Sequence, residues 1–341
     1  MRGIACLVVC SALLGCLVGC TGLAKQEVRQ LVDQEEEVLS RSRARVTDPV
    51  VTGYLSRLAA PILAAAQATD LDETDLPDED ETLNIYDRFS VYLVHDPMPN
   101  AWVVGDDFAC VTTSLILLTE HPEELVFVLG HEYGHLRGEH MVESIERRHA
   151  HQITAALAGG LAAAGASYNA ATSPYYSQQQ YNQDMQGAMA IMATIMMAYS
   201  PHRKSDEHDS DEQAVELMMA AGYPIDRVTD YFERLIPLYG DGGGGSHPPT
   251  SKRIERLQKI QAELAEYRPT RRLDLGEFLR VRERVRAQAE RLVRADQIVF
   301  FSDERQTLTS STLPPLKSCG PLDADPEAIM DLYTKLVLGR R

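Results

Sequence analysis

Residues 122–141 read PEELVFVLGHEYGHLRGEHM, and the reading of the whole chain starts there. Pro122 suits the first turn of a helix, where its missing N–H is no loss, and Glu123 and Glu124 suit the positive end of the helix dipole. The run LVFVLG is apolar on nearly every side, so a buried helix is predicted. Within it His131 and His135 stand four residues apart, so both imidazoles leave one face about a turn from each other and can share a tetrahedral metal. Glu132 lies beside that face. A carboxylate there can take a proton from water acidified by the metal and deliver it to a leaving amine. The pattern HExxH therefore implies a zinc-dependent peptide hydrolase centred on His131, Glu132 and His135, with one zinc ion per chain; two satisfied core histidines are the bland alternative.

The third metal ligand decides the class. In metzincins the helix continues as HExxHxxGxxH. Here Gly138 matches the glycine, but Met141 stands where histidine is required, and His140 falls one position early, which turns it off the metal face. A carboxylate from another helix is needed instead. Residues 204–223, KSDEHDSDEQAVELMMAAGY, offer Glu207 and Asp211 one helical turn apart. An exposed acidic face is the competing reading, because Asp206, Asp209 and Glu212 crowd the same stretch.

On the N-terminal side of that helix, FSVYLVH (89–95) and DFACVTT (107–113) are rich in β-branched and aromatic residues and flank the turn-like DPMPN, so they read as strands of a small sheet. Residues 23–68 pattern as two amphipathic helices broken near Thr47-Asp48-Pro49. The acidic run DLDETDLPDEDE (70–81) reads as a solvated loop. It lacks the ligand spacing and turn glycine of a calcium loop. On the other side, the stretches ITAALAGGLAAAG and MQGAMAIMATIMMAYS fall short of a membrane span and read as a pair of core helices. Residues 251–299 are charged and helical in pattern.

The chain begins MRGIACLVVCSALLGCLVGC, with Arg2 before a short apolar stretch, the pattern of an export signal. Leu17-Val18-Gly19-Cys20 resembles the bacterial lipobox, in which the cysteine is acylated and becomes the first mature residue; Cys16 is a weaker alternative, and a buried or transmembrane N-terminal helix the competing reading. Thr21, where inner-membrane retention favours aspartate, points to the outer membrane. Fifty acidic against 33 basic residues give a net charge of -17 over 341 residues, which repels nucleic acid phosphates, so no nucleic acid partner is expected. Beyond Cys20 only Cys110 and Cys319 remain. They can form one disulfide if their Cα atoms approach, which the sequence leaves open.

Taken together, NAW at residues 100–102, HEYGH, the ExxxD pattern from Glu207 to Asp211 and HPPTSKRI from His247 resemble the HtpX-like and CAAX-prenyl-protease-type gluzincins, in the BepA-like periplasmic lipoprotein branch, over about residues 85–260. The resemblance implies an α+β, predominantly helical zincin-like metallopeptidase with a small sheet beside the HExxH helix. It makes Glu207 the third zinc ligand and Asp211 a carboxylate behind the ligands that orients the site. A glutamate and an alanine are more usual at Asp209 and Ser210. Asn100, Ala101 and Trp102 become an edge strand on which an extended peptide adds, although Trp102 reads equally well as core. His247, after the flexible GDGGGG, takes a regulatory or oxyanion role, or else fixes the start of the next helix. Arg253 is expected to pair with an acidic residue of the site.

The expected organisation is a lipoprotein signal peptide (1–19), an N-terminal helical segment with the acidic loop (20–84), a zinc metallopeptidase domain (85–262) and a C-terminal helical extension of open role (263–341). The expected function is a lipid-anchored zinc endopeptidase acting on envelope proteins in quality control, facing the periplasm from the outer membrane. Its partners are polypeptide substrates and the lipid bilayer, through acylated Cys20. One rival is a lipid-anchored binding or chaperone-like factor with a catalytically silent zinc. Another, a membrane-embedded protease of the prenyl-processing type, is disfavoured by the lack of long apolar spans.

Overall fold

A computed structural model describes residues 2–70, 90–104, 108–173, 175–197, 204–241, 249–295, 297–308 and 326–338, the side chains of residues 2–21, 67, 69, 70, 196, 197, 239 and 326 excepted. The acidic run from residue 71, His247 with its glycines, Cys319 and the side chain of Cys20 lie outside the described residues. The chain forms two compact units, Met1–Glu27 with His140–Arg203, and Val28–Glu139 with Lys204–Arg341.

In the larger unit, helix α1 (Arg2–Arg41, its first part in the smaller unit) ends where the chain makes the short strand β1 (Arg45–Val46), and α2 (Pro49–Asp70) follows. The break expected near residues 47–49 is thus present. A two-residue strand is too short to leave a periodic signal, and β1 went unanticipated for that reason. Strands β2 (Ser90–Val94), β3 (Ala101–Val104) and β4 (Phe108–Thr112) complete a mixed sheet in the order β1-β2-β4-β3. β2 runs parallel to β4, and β3 antiparallel to it with Trp102 opposite Cys110. Both expected strands form, and the NAW segment opens a third at the sheet edge among the described residues.

After the short helix α3 (Thr113–Leu118) comes α4 (Pro122–Arg137), the helix of the HExxH pattern. Its start is built as the sequence predicts. Pro122 occupies the first turn, and Glu124 folds back so that its Oε1 accepts the backbone N–H groups of His121 at 3.0 Å and Glu120 at 3.2 Å. Phe127, Val128 and Leu129 are buried, and α4 lies against β3. The remaining helices of this unit are α7 (Lys204–Ala220), α8 (Asp230–Tyr239), α9 (Thr250–Glu263), α10 (Leu275–Arg294), α11 (Phe301–Leu308) and α12 (Pro326–Leu338), with α5 and α6 in the other unit. One core takes residues from α2, the sheet, α4, α7, α8 and, from the C-terminal extension, Phe278, Val281, Val285 and Tyr333. The fold is α+β and predominantly helical, with the small sheet beside the HExxH helix.

Among the described residues, Pro49–Ala66 of α2 is the one stretch long and apolar enough to cross a membrane. Its Val51, Leu55, Leu58 and Ile62 are buried in the core, so it is accounted for as a core helix. The smaller unit corrects an expectation. Helices α5 (His140–Thr172) and α6 (Gln178–Met197) pair with each other, Gly159 facing Ala188 and Met192, but Leu157, Leu161 and Met189 stand 55%, 74% and 67% exposed. They form a hairpin and are not core helices. Their alanine- and glycine-rich composition shows little polarity on any face, so the sequence alone gave no direction of burial.

Candidate metal centre

The centre depends on how closely α4 and α7 approach. A Cβ placed on Gly130 would lie 3.3 Å from Cα of Ala214, and one on Gly134 would lie 3.0 Å from both Cα and O of Ser210. Two glycines one turn apart on α4 thus face two small residues one turn apart on α7, and the backbones meet where larger side chains would hold them apart. That contact sets the two histidines opposite Glu207.

His131 Nε2 lies 3.1 Å from His135 Nε2 and 3.7 Å from Glu207 Oε2, while His135 Nε2 lies 3.5 Å from Glu207 Oε1. Bonds of about 2.0–2.1 Å in tetrahedral geometry separate two ligand atoms by about 3.3 Å. The three donors therefore already stand at the spacing one ion requires, and one ligand atom from each residue falls within 4.8 Å of the others. Two imidazoles and a carboxylate suit zinc among the common divalent ions.

His131 is held from behind. Its Nδ1 lies 2.9 Å from Asp211 Oδ1, close enough to donate its proton there, which leaves Nε2 bare toward the other ligands. Asp211 in turn accepts from Arg253, Nε to Oδ2 at 2.9 Å and Nη2 to Oδ1 at 2.6 Å. Burial alone would raise the Asp211 carboxyl. The Arg253 charge and the bonds from His131 and Arg253 outweigh it and hold the group down at about 2. His131, Glu132 and Glu207 are buried, while the His135 side chain is 13% exposed, so the centre reaches solvent on that side.

The structure brings His131, His135, Glu207 and Asp211 together, Glu132 is buried next to His131 on α4, and Arg253 pairs as expected with an acidic residue, Asp211. His140 belongs to the other unit, and His247 lies outside the described residues. Ala101 and Trp102 lie on the edge strand β3, which Asn100 precedes, and the indole of Trp102 is 5% exposed and stacked on Phe301 at 5.5 Å. The core reading of the Trp102 side chain therefore holds, and the strand that carries it lies at the sheet edge among the described residues. The contact of Gly130 and Gly134 with α7 was not foreseen. Its signal is in the sequence all the same, as glycines four apart in an otherwise apolar helix.

Two histidines a turn apart on one helix, closed by a glutamate from a second, define a metallopeptidase of the zincin type. Comparison with known families narrows this: the pattern of peptidase family M48 matches residues 67–261, more than half of the chain, and the chain belongs to that family. A protein of Vibrio cholerae serotype O1 carrying the name beta-barrel assembly-enhancing protease is 23% identical over 231 residues, 66% of this chain and 41% of that protein. The chain thus matches under half the length of that curated relative.

Proposed function

We propose that this peptidase is a zinc-dependent endopeptidase of the cell envelope, anchored by an acylated Cys20 and acting on polypeptides that present an extended segment. The observation that carries the proposal is the convergence of His131 Nε2, His135 Nε2 and the Glu207 carboxylate beside Glu132. Those three residues would hold zinc, which when bound would supply Lewis acidity toward a peptide carbonyl and water. Glu132, next to His131 on α4, takes the proton of the attacking water and passes it to the departing amine, with no covalent intermediate. Asp211 keeps His131 in the tautomer that leaves Nε2 unprotonated toward His135 and Glu207.

Substrate binding is assigned to β3. Thr112 donates its N–H to the Asn100 carbonyl at 3.0 Å, and antiparallel ladder bonds alternate, so Ala101 and Val103 turn their N–H and C=O groups to the open edge. An extended peptide adding there binds through its backbone, which makes the enzyme tolerant of side chains. Anchoring rests on the lipobox-like Leu17-Val18-Gly19-Cys20 and the export signal before it. A quality-control role is supported by the name of the Vibrio cholerae relative, a beta-barrel assembly-enhancing protease, and the outer-membrane location is proposed from Thr21 after the lipobox-like cysteine. One zinc per chain, with casein cleavage abolished by a chelator and restored by zinc, is the expected result. Bound zinc without cleavage would favour a binding factor. Labelled palmitate entering the parent and not Cys20→Ser checks the anchor.

A further inference from the structure

Four helices of the larger unit meet at the guanidinium of Arg253. The residue starts on α9, is 4% exposed, and grips both carboxylate oxygens of Asp211 on α7. Its Nη1 lies 3.6 Å from Glu207 Oε2, its Nη2 3.3 Å from Nδ1 of His131 on α4, and its Cζ 4.3 Å from the ring centre of Phe232 on α8. Three of these neighbours are the residues that hold or orient the metal.

We propose that Arg253 is a positioning residue for the metal ligands, an inference that rests on reading the centre as a zinc site. Two parallel bonds fix the rotation of the Asp211 carboxylate. Asp211 Oδ1 then takes the Nδ1 proton of His131 and so aims Nε2, while the cation offsets the second buried carboxylate, Glu207. Packing on Phe232 keeps the guanidinium in the plane this needs. A lysine preserves the charge but supplies neither the planar fork nor the stacking, so it does not replace arginine here. Removing Arg253 would leave Asp211 held by His131 alone, free to rotate and to pull the imidazole off its line.

The rival is a plain structural tie between α9 and α7, and zinc affinity separates the two. The full chain is compared as parent, Arg253→Lys, Arg253→Ala and the doubly neutralised Asp211→Asn with Arg253→Met, measuring zinc affinity by chelator competition, melting of the metal-free protein, and kcat and KM on a peptide at saturating zinc. We expect each variant to bind zinc ~10–100-fold more weakly, as loss of a partner behind a ligand typically causes. We also expect kcat to fall with KM unchanged and no rescue by lysine. Variants that bind zinc as tightly as the parent, with only the metal-free melting temperature lowered, overturn the proposal and leave the structural tie. Should Arg253→Ala fail to fold, Arg253→Lys decides, since it keeps a cation beside the buried Asp211 and Glu207 carboxylates. A parent that binds no zinc refutes the zinc reading itself, and that outcome is distinct from parent-like affinity in the variants.

Discussion

At the scale of single residues the proposed mechanism divides labour between holding a metal and moving a proton, and two substitutions separate these. Glu207→Ala removes one of three converging donors and should abolish stoichiometric zinc binding, read by metal analysis after dialysis. Glu132→Gln leaves all three donors in place, so zinc should stay while hydrolysis falls by about 10²–10⁴-fold, the usual worth of a positioned base. Loss of zinc in the glutamine variant would contradict that assignment. His131, Glu132 and His135 were legible because helical spacing fixes which side chains share a face. Glu207 needed the family resemblance, since the sequence cannot say which distant acidic helix comes to lie beside α4. That Arg253 pairs with an acidic residue of the site was expected, but which one stayed open, because the bond is purely tertiary, from Arg253 on α9 to Asp211 on α7.

At the scale of elements the site is a contact between α4 and α7, made by glycines. Gly134→Ala drives a methyl to 3.0 Å from the Ser210 backbone, where no flexible side chain can yield. Overpacking of that kind typically costs about 1–3 kcal/mol. The variant should melt lower and hold zinc more weakly, because Glu207 moves with α7. Unchanged affinity would show that the separation of these helices does not set the donor spacing. The edge strand makes a second prediction. Val103→Pro removes an N–H that points to the open edge and spares the ladder to β4, so the fold and zinc content should survive while KM for extended peptides rises. The helices of residues 23–68, of the HExxH segment and of 251–299, with the strands β2 and β4, could be read from the sequence, whereas α3, α8 and α12 were not expected. The α5–α6 pair could not be placed, since alanine and glycine give a helix without saying which face is covered.

For the molecule as a whole, the C-terminal extension belongs to the core. Phe278, Val281, Val285 and Tyr333 lie in the main hydrophobic cluster, and Arg305 grips the buried Glu35 carboxylate at 3.0 and 3.1 Å. A chain ending after Glu263 should fail to unfold cooperatively, and Arg305→Ala, which strands a buried charge, should cost about 3–5 kcal/mol in denaturant titration. Acid sensitivity has a source at His95. Burial pushes its imidazole from 6.5 down to about 4, and Nδ1 has no hydrogen-bond partner among the described residues. The folded state thus binds its proton less readily than the unfolded chain. Stability is full above pH 6.5 and drains as pH falls toward about 4. The loss by pH ~4.5 is about 2 to 3 kcal/mol, and His95→Gln should remove that part of it. The central claim is a zinc peptidase whose base is Glu132. Peptide cleavage by zinc-loaded parent and Glu132→Gln, at equal measured zinc content, tests it most directly. The account predicts one zinc in each and cleavage by the parent alone; equal cleavage by both would contradict it.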